Sequence, residues 1–336
     1  MLKNNLYQEI SRTYLRELST FHPIFAKHFC IRMFRITGEK IYLQHIQDIL
    51  AKELLSKFQV FSNVSTLNDS CINLSEMVRG SMFRNPMEKK RVERRWDFYQ
   101  HYPRVKFFFE ALSDLSFFLE VRLDSGMYRE QIVATLKEFV KQNWQKELCF
   151  NECFLAHPVL FINSLYRLQE MGLWKSKAHL DDTEEHSPSE FAIEMVKKHF
   201  SPRRLQSNEL LYDQIYSYTH LIINESHFYQ QYLSPEQLHK LDWVFMFFQK
   251  HFHEFCSLIN LDLVIEVLLC FRLANIPNLR MEKIGEEIVL SFYDKKHCYL
   301  KADAKANVEE MEHANILLLM YLHLPEHFFQ IQESIF

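Results

Sequence analysis

The chain has 336 residues, 48% of them apolar and 15% aromatic, with 30 Phe, and its formal charge at pH 7 is −4. So many large side chains exclude a disordered polymer, and the near-balanced charge gives no general field for a nucleic-acid backbone. Five Gly are too few for the turns and bulges of a sheet protein or the phosphate loops of nucleotide-binding α/β folds, so the expected class is all-α.

From the N-terminus, Met1-Leu2-Lys3-Asn4-Asn5 lacks the apolar core of a secretory leader. No later stretch reaches the roughly 18 to 20 apolar residues of a membrane span. Seven Cys without framework spacing read as reduced thiols, and a cytoplasmic location is expected. Cys149 and Cys153 stand four apart with no second pair, which disfavours zinc.

Phe25, Phe29, Met33 and Ile36 recur at three- and four-residue steps, predicting a helix to Thr37 that Gly38 closes. Ile41, Ile46, Ile49, Leu50 and Leu54 mark a second helix, so the first unit is a helical hairpin. Gly38, Gly80, Gly126 and Gly172 then fall 42, 46 and 46 residues apart, a spacing suited to repeated helix-turn-helix units. Long surface loops are expected at about 62–73 and 175–189. The run Lys89-Lys90-Arg91 with Arg94 and Arg95 reads chiefly as a solvated helix face also carrying Glu88 and Glu93. A docking patch for phosphate or an acidic partner is the alternative.

Further helices are predicted at Tyr212 to Tyr232, Pro235 to His253 (opened by Ser234), Leu261 to Ala274, Met281 to Tyr293 and Val308 to Leu324. A short β excursion is allowed within 288–301, around Asp294-Lys295-Lys296. One domain spanning 1–336 is expected.

The turn Arg35-Ile36-Thr37-Gly38-Glu39-Lys40-Ile41-Tyr42-Leu43 and the helix start Glu312-His313-Ala314-Asn315-Ile316-Leu317 resemble the α/α-toroid (six-hairpin) proteins. That superfamily includes glycosidases, terpenoid-cyclase-like folds and uncharacterised bacterial families. The resemblance implies inner and outer rings of helices around a central cavity, in which some members do chemistry with carboxylates and histidines while others bind peptides or proteins.

Candidate site residues follow from polar groups on faces that ought to be apolar. If 212–232 is one helix, His220, Asn224 and His227 share a face beside Tyr216. Asp262 and Glu266 stand one turn apart in an apolar helix, where a carboxylate is costly unless paired or functional. Glu266 either acts as acid or base or forms a structural ion pair with Arg272 or Arg35. His157 precedes a helix bearing Asn163 and Tyr166, and His313 opens the last helix beside Asn315. In a toroid His157, His220, Glu266 and His313 would meet at the cavity mouth as catalytic groups, with the others binding ligand. No cofactor is expected, although such a His/Glu cluster would suit a metal. The expected activity is acid–base chemistry on a saccharide, modified peptide or isoprenoid-like molecule. The alternative is a non-catalytic scaffold holding a peptide or protein in a concave groove. Neither nucleic acid nor membrane is an expected partner.

Overall fold

Proline marks where several helices begin. At the first helical position its missing N–H costs no hydrogen bond and its fixed φ suits the turn, and Pro23, Pro86, Pro158, Pro188 and Pro235 all stand there. The computed structural model describes residues 2–45, 86–102, 105, 106, 109, 112, 150–170, 172, 187–207, 209–303 and 305–324. In chain order these form α1 (Leu2–Glu17), α2 (Pro23–Thr37), α3 (Pro86–His101), α4 (Phe150–Ala156), α5 (Pro158–Glu170), α6 (Pro188–His199), α7 (Glu209–Glu225), α8 (Pro235–Phe255), α9 (Leu261–Leu273), α10 (Leu279–Ser291) and α11 (Glu312–Leu322). Residues 40–45 are also helical. The class is all-α.

The allowed β excursion is present as one ribbon, β1 (Tyr293–Asp294) antiparallel to β2 (Tyr299–Leu300), with Tyr293 opposite Leu300. Asp294 turns it: Oδ1 accepts from the backbone N–H of Lys296 at 2.9 Å, and Oδ2 lies 2.6 Å from His297 Nδ1. Local side-chain bonding of this kind competes with helix continuation.

Ser187 and Ser234 each build a capping box, with Glu190 and Gln237 as the reciprocal partners. Ser187 thereby ends the second expected loop before 189. The loop at 62–73, residues 175–186, Gly80 and Gly126 lie outside the described residues.

The chain divides into two compact units, the first comprising Met1–Ile49, Pro202–Leu205 and Leu221–Phe336, the second Leu50–Ser201 and Gln206–His220. In the first unit α11 is buried on nearly every side and packs against α1, α2 and α9. A helix apolar all round belongs inside a core. Leu6, Ile10 and Tyr14 of α1, and Leu18 in the 3-10 turn that follows it, are buried at four-residue steps. Tyr14 stacks on Phe29 of α2 at 5.0 Å and donates its hydroxyl to Val308 O at 2.7 Å. On α2, Phe29, Met33 and Ile36 are buried as expected, while Phe25 lies at the surface. Gly38 closes this helix with φ +70°, its N–H reaching Phe34 O at 2.8 Å.

Gly285 has a packing role. It lies on α10 against α9, and a Cβ there would stand 2.5 Å from Leu268 Cδ1. Overpacking costs about 1–3 kcal/mol, against a helix-propensity gain of about 1 kcal/mol for alanine. Gly285→Ala is therefore expected to lose about 1 kcal/mol net in urea unfolding. A gain in stability would show that Leu268 moves aside freely.

The helix expected from Tyr212 to Tyr232 ends instead at Glu225. Ser226 supplies the stop. Its Oγ donates to Ile223 O at 2.7 Å and accepts from Tyr229 N–H at 3.0 Å, while its carbonyl accepts from Gln230 and Gln231 N–H. His227, Phe228 and Tyr229 then take φ of 49°, 55° and 69°, a left-handed turn costing roughly 1–2 kcal/mol per L-residue. His227 is a turn residue, and the shared helical face with His220 and Asn224 is corrected accordingly.

Candidate acid–base site

Three helices of the first unit bring ionisable side chains to one seam. α2 carries His28, Arg32 and Arg35 at steps of four and three, hence on one face. α9 carries Asp262 and Glu266 one turn apart, and α11 opens with Glu312-His313. Because α11 packs on both α2 and α9, these polar positions gather where the three helices meet, partly buried at the edge of an apolar core.

The contacts form two histidine–carboxylate pairs. His28 Nδ1 lies 2.8 Å from both Oε1 and Oε2 of Glu312. His313 Nε2 lies 3.7 Å from Asp262 Oδ2. The two imidazole rings are tilted together with centroids 5.2 Å apart. Arg32 stands over the Tyr229 ring at 5.8 Å. Its charge acts on Glu312, His28 and His313, and Tyr229 in turn feels Glu266. The seam thus runs from Asp262 through His313, His28, Glu312 and Arg32 to Tyr229 and Glu266.

Burial decides the protonation states. Glu312 is 1% exposed, and loss of water pushes its carboxyl up to about 7, with His313 and Arg32 pulling it partly back. His28 is held well below the ordinary histidine range by burial, then by Arg32, Lys27 and Arg35. Burial takes His313 down to about 4 against the opposing pull of Asp262, helped by His28 and Arg32. The His28 and His313 side chains keep 33% and 37% of their exposure. Water reaching them moderates the size of these shifts while leaving their direction.

Both imidazoles are therefore neutral near pH 7, while Glu312 titrates there. With Glu312 ionised, His28 donates Nδ1–H to it and carries a lone pair on Nε2. Nε2 makes no hydrogen bond to any described residue. With Glu312 protonated, its O–H donates to Nδ1 and the ring proton moves to Nε2. A carboxylate that changes state near pH 7 thus selects whether His28 presents a base or a donor.

Asp262, Glu266, His313 and Arg35 were legible as candidates, and Arg35 is buried, with Nη1 donating to Phe228 O at 3.5 Å and Cζ over the Phe228 ring at 5.6 Å. Arg272 gives its guanidinium to Tyr321, through Nη1 to the carbonyl and over the ring at 5.2 Å. Glu266 is buried, and its charge adds to burial in raising the Tyr229 phenol and the Cys270 thiol. Asn315 braces the fold: Oδ1 accepts from Leu300 N–H at 2.7 Å, and Nδ2 donates to the carbonyls of Leu300 and Met311. Asn224 is buried near the end of α7.

The other candidates belong to the second unit. His157 Nδ1 lies 2.9 Å from Tyr99 OH, and His220 Nδ1 lies 2.9 Å from Asn163 Oδ1, with the Tyr216 ring 6.4 Å from that of His220. Burial, followed by Arg95, Arg91, His220 and Arg94, holds His157 well below its ordinary range. Tyr166 is buried on α5. The solvated face expected around Arg91 is corrected here: Arg91 is buried, and both it and Arg94 bind Asp213 of α7. Among the described residues no group of three or more His, Cys, Asp or Glu is arranged to hold a metal, and no helix is long and apolar enough to cross a membrane.

Fold and seam together define an all-α protein with paired histidines and carboxylates at the margin of a helical core. The chain belongs to the family described as Domain of unknown function (DUF3541), whose model matches residues 3–327. No curated protein and no solved structure matches it.

Proposed function

We propose that the protein is an acid–base enzyme in which His28 is the proton-transferring group and Glu312 its orienting partner, with His313 and Asp262 as a second proton-carrying pair. The observation that carries this reading is the ring-to-ring placement of two histidine–carboxylate pairs, one of them on the fully buried Glu312 and both imidazoles within reach of solvent. A proton taken up at Nε2 leaves an imidazolium facing the Glu312 carboxylate, the arrangement that stabilises the charged form as it develops. All these groups lie in one unit, so the reading does not require the central cavity of a toroid. Among the expected substrates, a saccharide or modified peptide suits the site best, because a hydroxyl or amide offers a proton to move near neutral pH.

Chromogenic glycosides, esters and peptides offered to wild type and to His28→Gln test this. Turnover is expected to rise with pH through about 7, as Glu312 ionises and Nε2 becomes basic. The glutamine variant, with its circular dichroism unchanged, is expected to lose about 100-fold or more. Equal turnover by both proteins would sink the proposal.

A further inference from the structure

The second unit holds a separate excess of positive charge. α3 places Arg91, Arg94 and Arg95 on one face at steps of three and four. Arg91 Nε donates to Asp213 Oδ1 at 2.9 Å, and Arg94 Nη2 donates to Oδ2. The Arg91 guanidinium also lies over the rings of Tyr212 and Tyr216, at 5.5 and 5.1 Å. Asp213 is the sole buried carboxylate of this unit among the described residues.

Among the described residues, one buried carboxylate against three guanidiniums leaves a local surplus of two positive charges. The Nε–H groups of both Arg94 and Arg95 are buried and make no hydrogen bond. Arg95 forms no ion pair among the described residues. Burial and the neighbouring Arg91 weaken its hold on its proton, with only Asp213, Tyr99 and Tyr216 opposing them. Tyr99, Tyr216 and His157, which also act on or feel these guanidiniums, are neutral hydrogen-bonding groups. Tyr99 OH and His157 Nδ1 share a hydrogen bond; in the tautomer where the phenol donates, the His157 ring proton is on Nε2 and is a further donor. Half-buried guanidiniums with unmatched Nε–H groups are suited to a ligand that brings negative charge. Arg94, Tyr216, His157 and His220 all keep partial exposure, which gives solvent access.

We propose that Arg91, Arg94 and Arg95, with His157 and Tyr216 beside them, form a binding site for a dianionic phosphate group, free or carried as the monoester of a small molecule. A phosphate monoester bears about 1.5 to 2 negative charges at pH 7, which offsets the surplus. Its three oxygens suit the forked donors of arginine better than a point cation would. The site lies wholly in the second unit and is independent of the acid–base reading.

The test is calorimetric titration of the full chain with sodium phosphate and, separately, glucose 6-phosphate, at pH 7.5 and constant ionic strength set with chloride. Saturable binding of at least one is expected. Binding of both assigns recognition to the phosphate alone, and binding of the ester alone shows that the carried group is also read. Arg95→Met is expected to melt no lower than wild type in chloride, because it removes an uncompensated charge, and to bind at least tenfold more weakly. Arg95→Lys, which keeps the charge and loses the fork, is expected to fall between them. The proposal is overturned if neither anion binds wild type saturably, or if both variants bind as tightly as wild type.

Discussion

Glu312→Gln is expected to change the pH dependence of stability by about 3 kcal/mol between pH 4.5 and 8. The wild-type carboxyl is raised by burial to about 7 in the folded state, against an ordinary value of about 4.5 when unfolded. Its contribution is therefore fully present below pH 4.5 and is lost as pH rises through 7. His28, His313 and His157, all depressed by burial, act with the opposite sign. Their contribution is present above about 6.5 and is lost as pH falls. In wild type the two trends partly cancel below neutrality. Glutamine keeps an amide beside His28 but cannot ionise, so only the histidine trend remains. Urea unfolding of both proteins at pH 5, 6, 7 and 8 measures the difference. A constant offset at all four would mean that Glu312 has ordinary acidity.

The second large effect is expected at Asp213→Asn. The amide matches the carboxylate in shape, so the change isolates charge. Arg91 and Arg94 would lose their shared counter-ion in a buried setting, at a cost of about 3–5 kcal/mol, readable as a lowered denaturation midpoint. A loss below about 1 kcal/mol, the range of exposed ion pairs, would show that water reaches these guanidiniums freely.

Which features were legible in the sequence follows the range of the forces that set them. The α2 face, the Gly38 closure, the Ser234 cap and the Asp294 turn each depend on residues within a turn of one another, and all were readable. The end of α7 was not. The segment from Asn224 to Tyr229 has no glycine or proline, and its apolar rhythm runs on to Tyr232, while the stop depends on one serine hydroxyl bonded in two directions. For the site, Asp262, Glu266 and His313 stood out because each is polar within an apolar helix. His28 and Glu312 did not, since their pairing spans 284 positions. A usable signal was present nonetheless: Glu312 stands beside His313 at the start of a helix that is otherwise apolar, and His28 recurs one turn before Arg32. The burial of Arg91 on α3 is hidden from the sequence for a related reason. Its counter-ion lies on α7, more than a hundred residues later.

The left-handed turn at His227–Tyr229 bears on how acidity is set in the seam. It turns the aromatic faces of Phe228 and Tyr229 towards α2, where they seat Arg35 and Arg32. An arginine seated on an aromatic face keeps its full charge, whereas one locked to a carboxylate has its field largely cancelled. Arg32 therefore acts as a bias on Glu312 and the two imidazoles from a seat that the turn supplies. Burial sets the acidity of Glu312, and a turn more than eighty residues away in sequence seats one of the charges that moderates it.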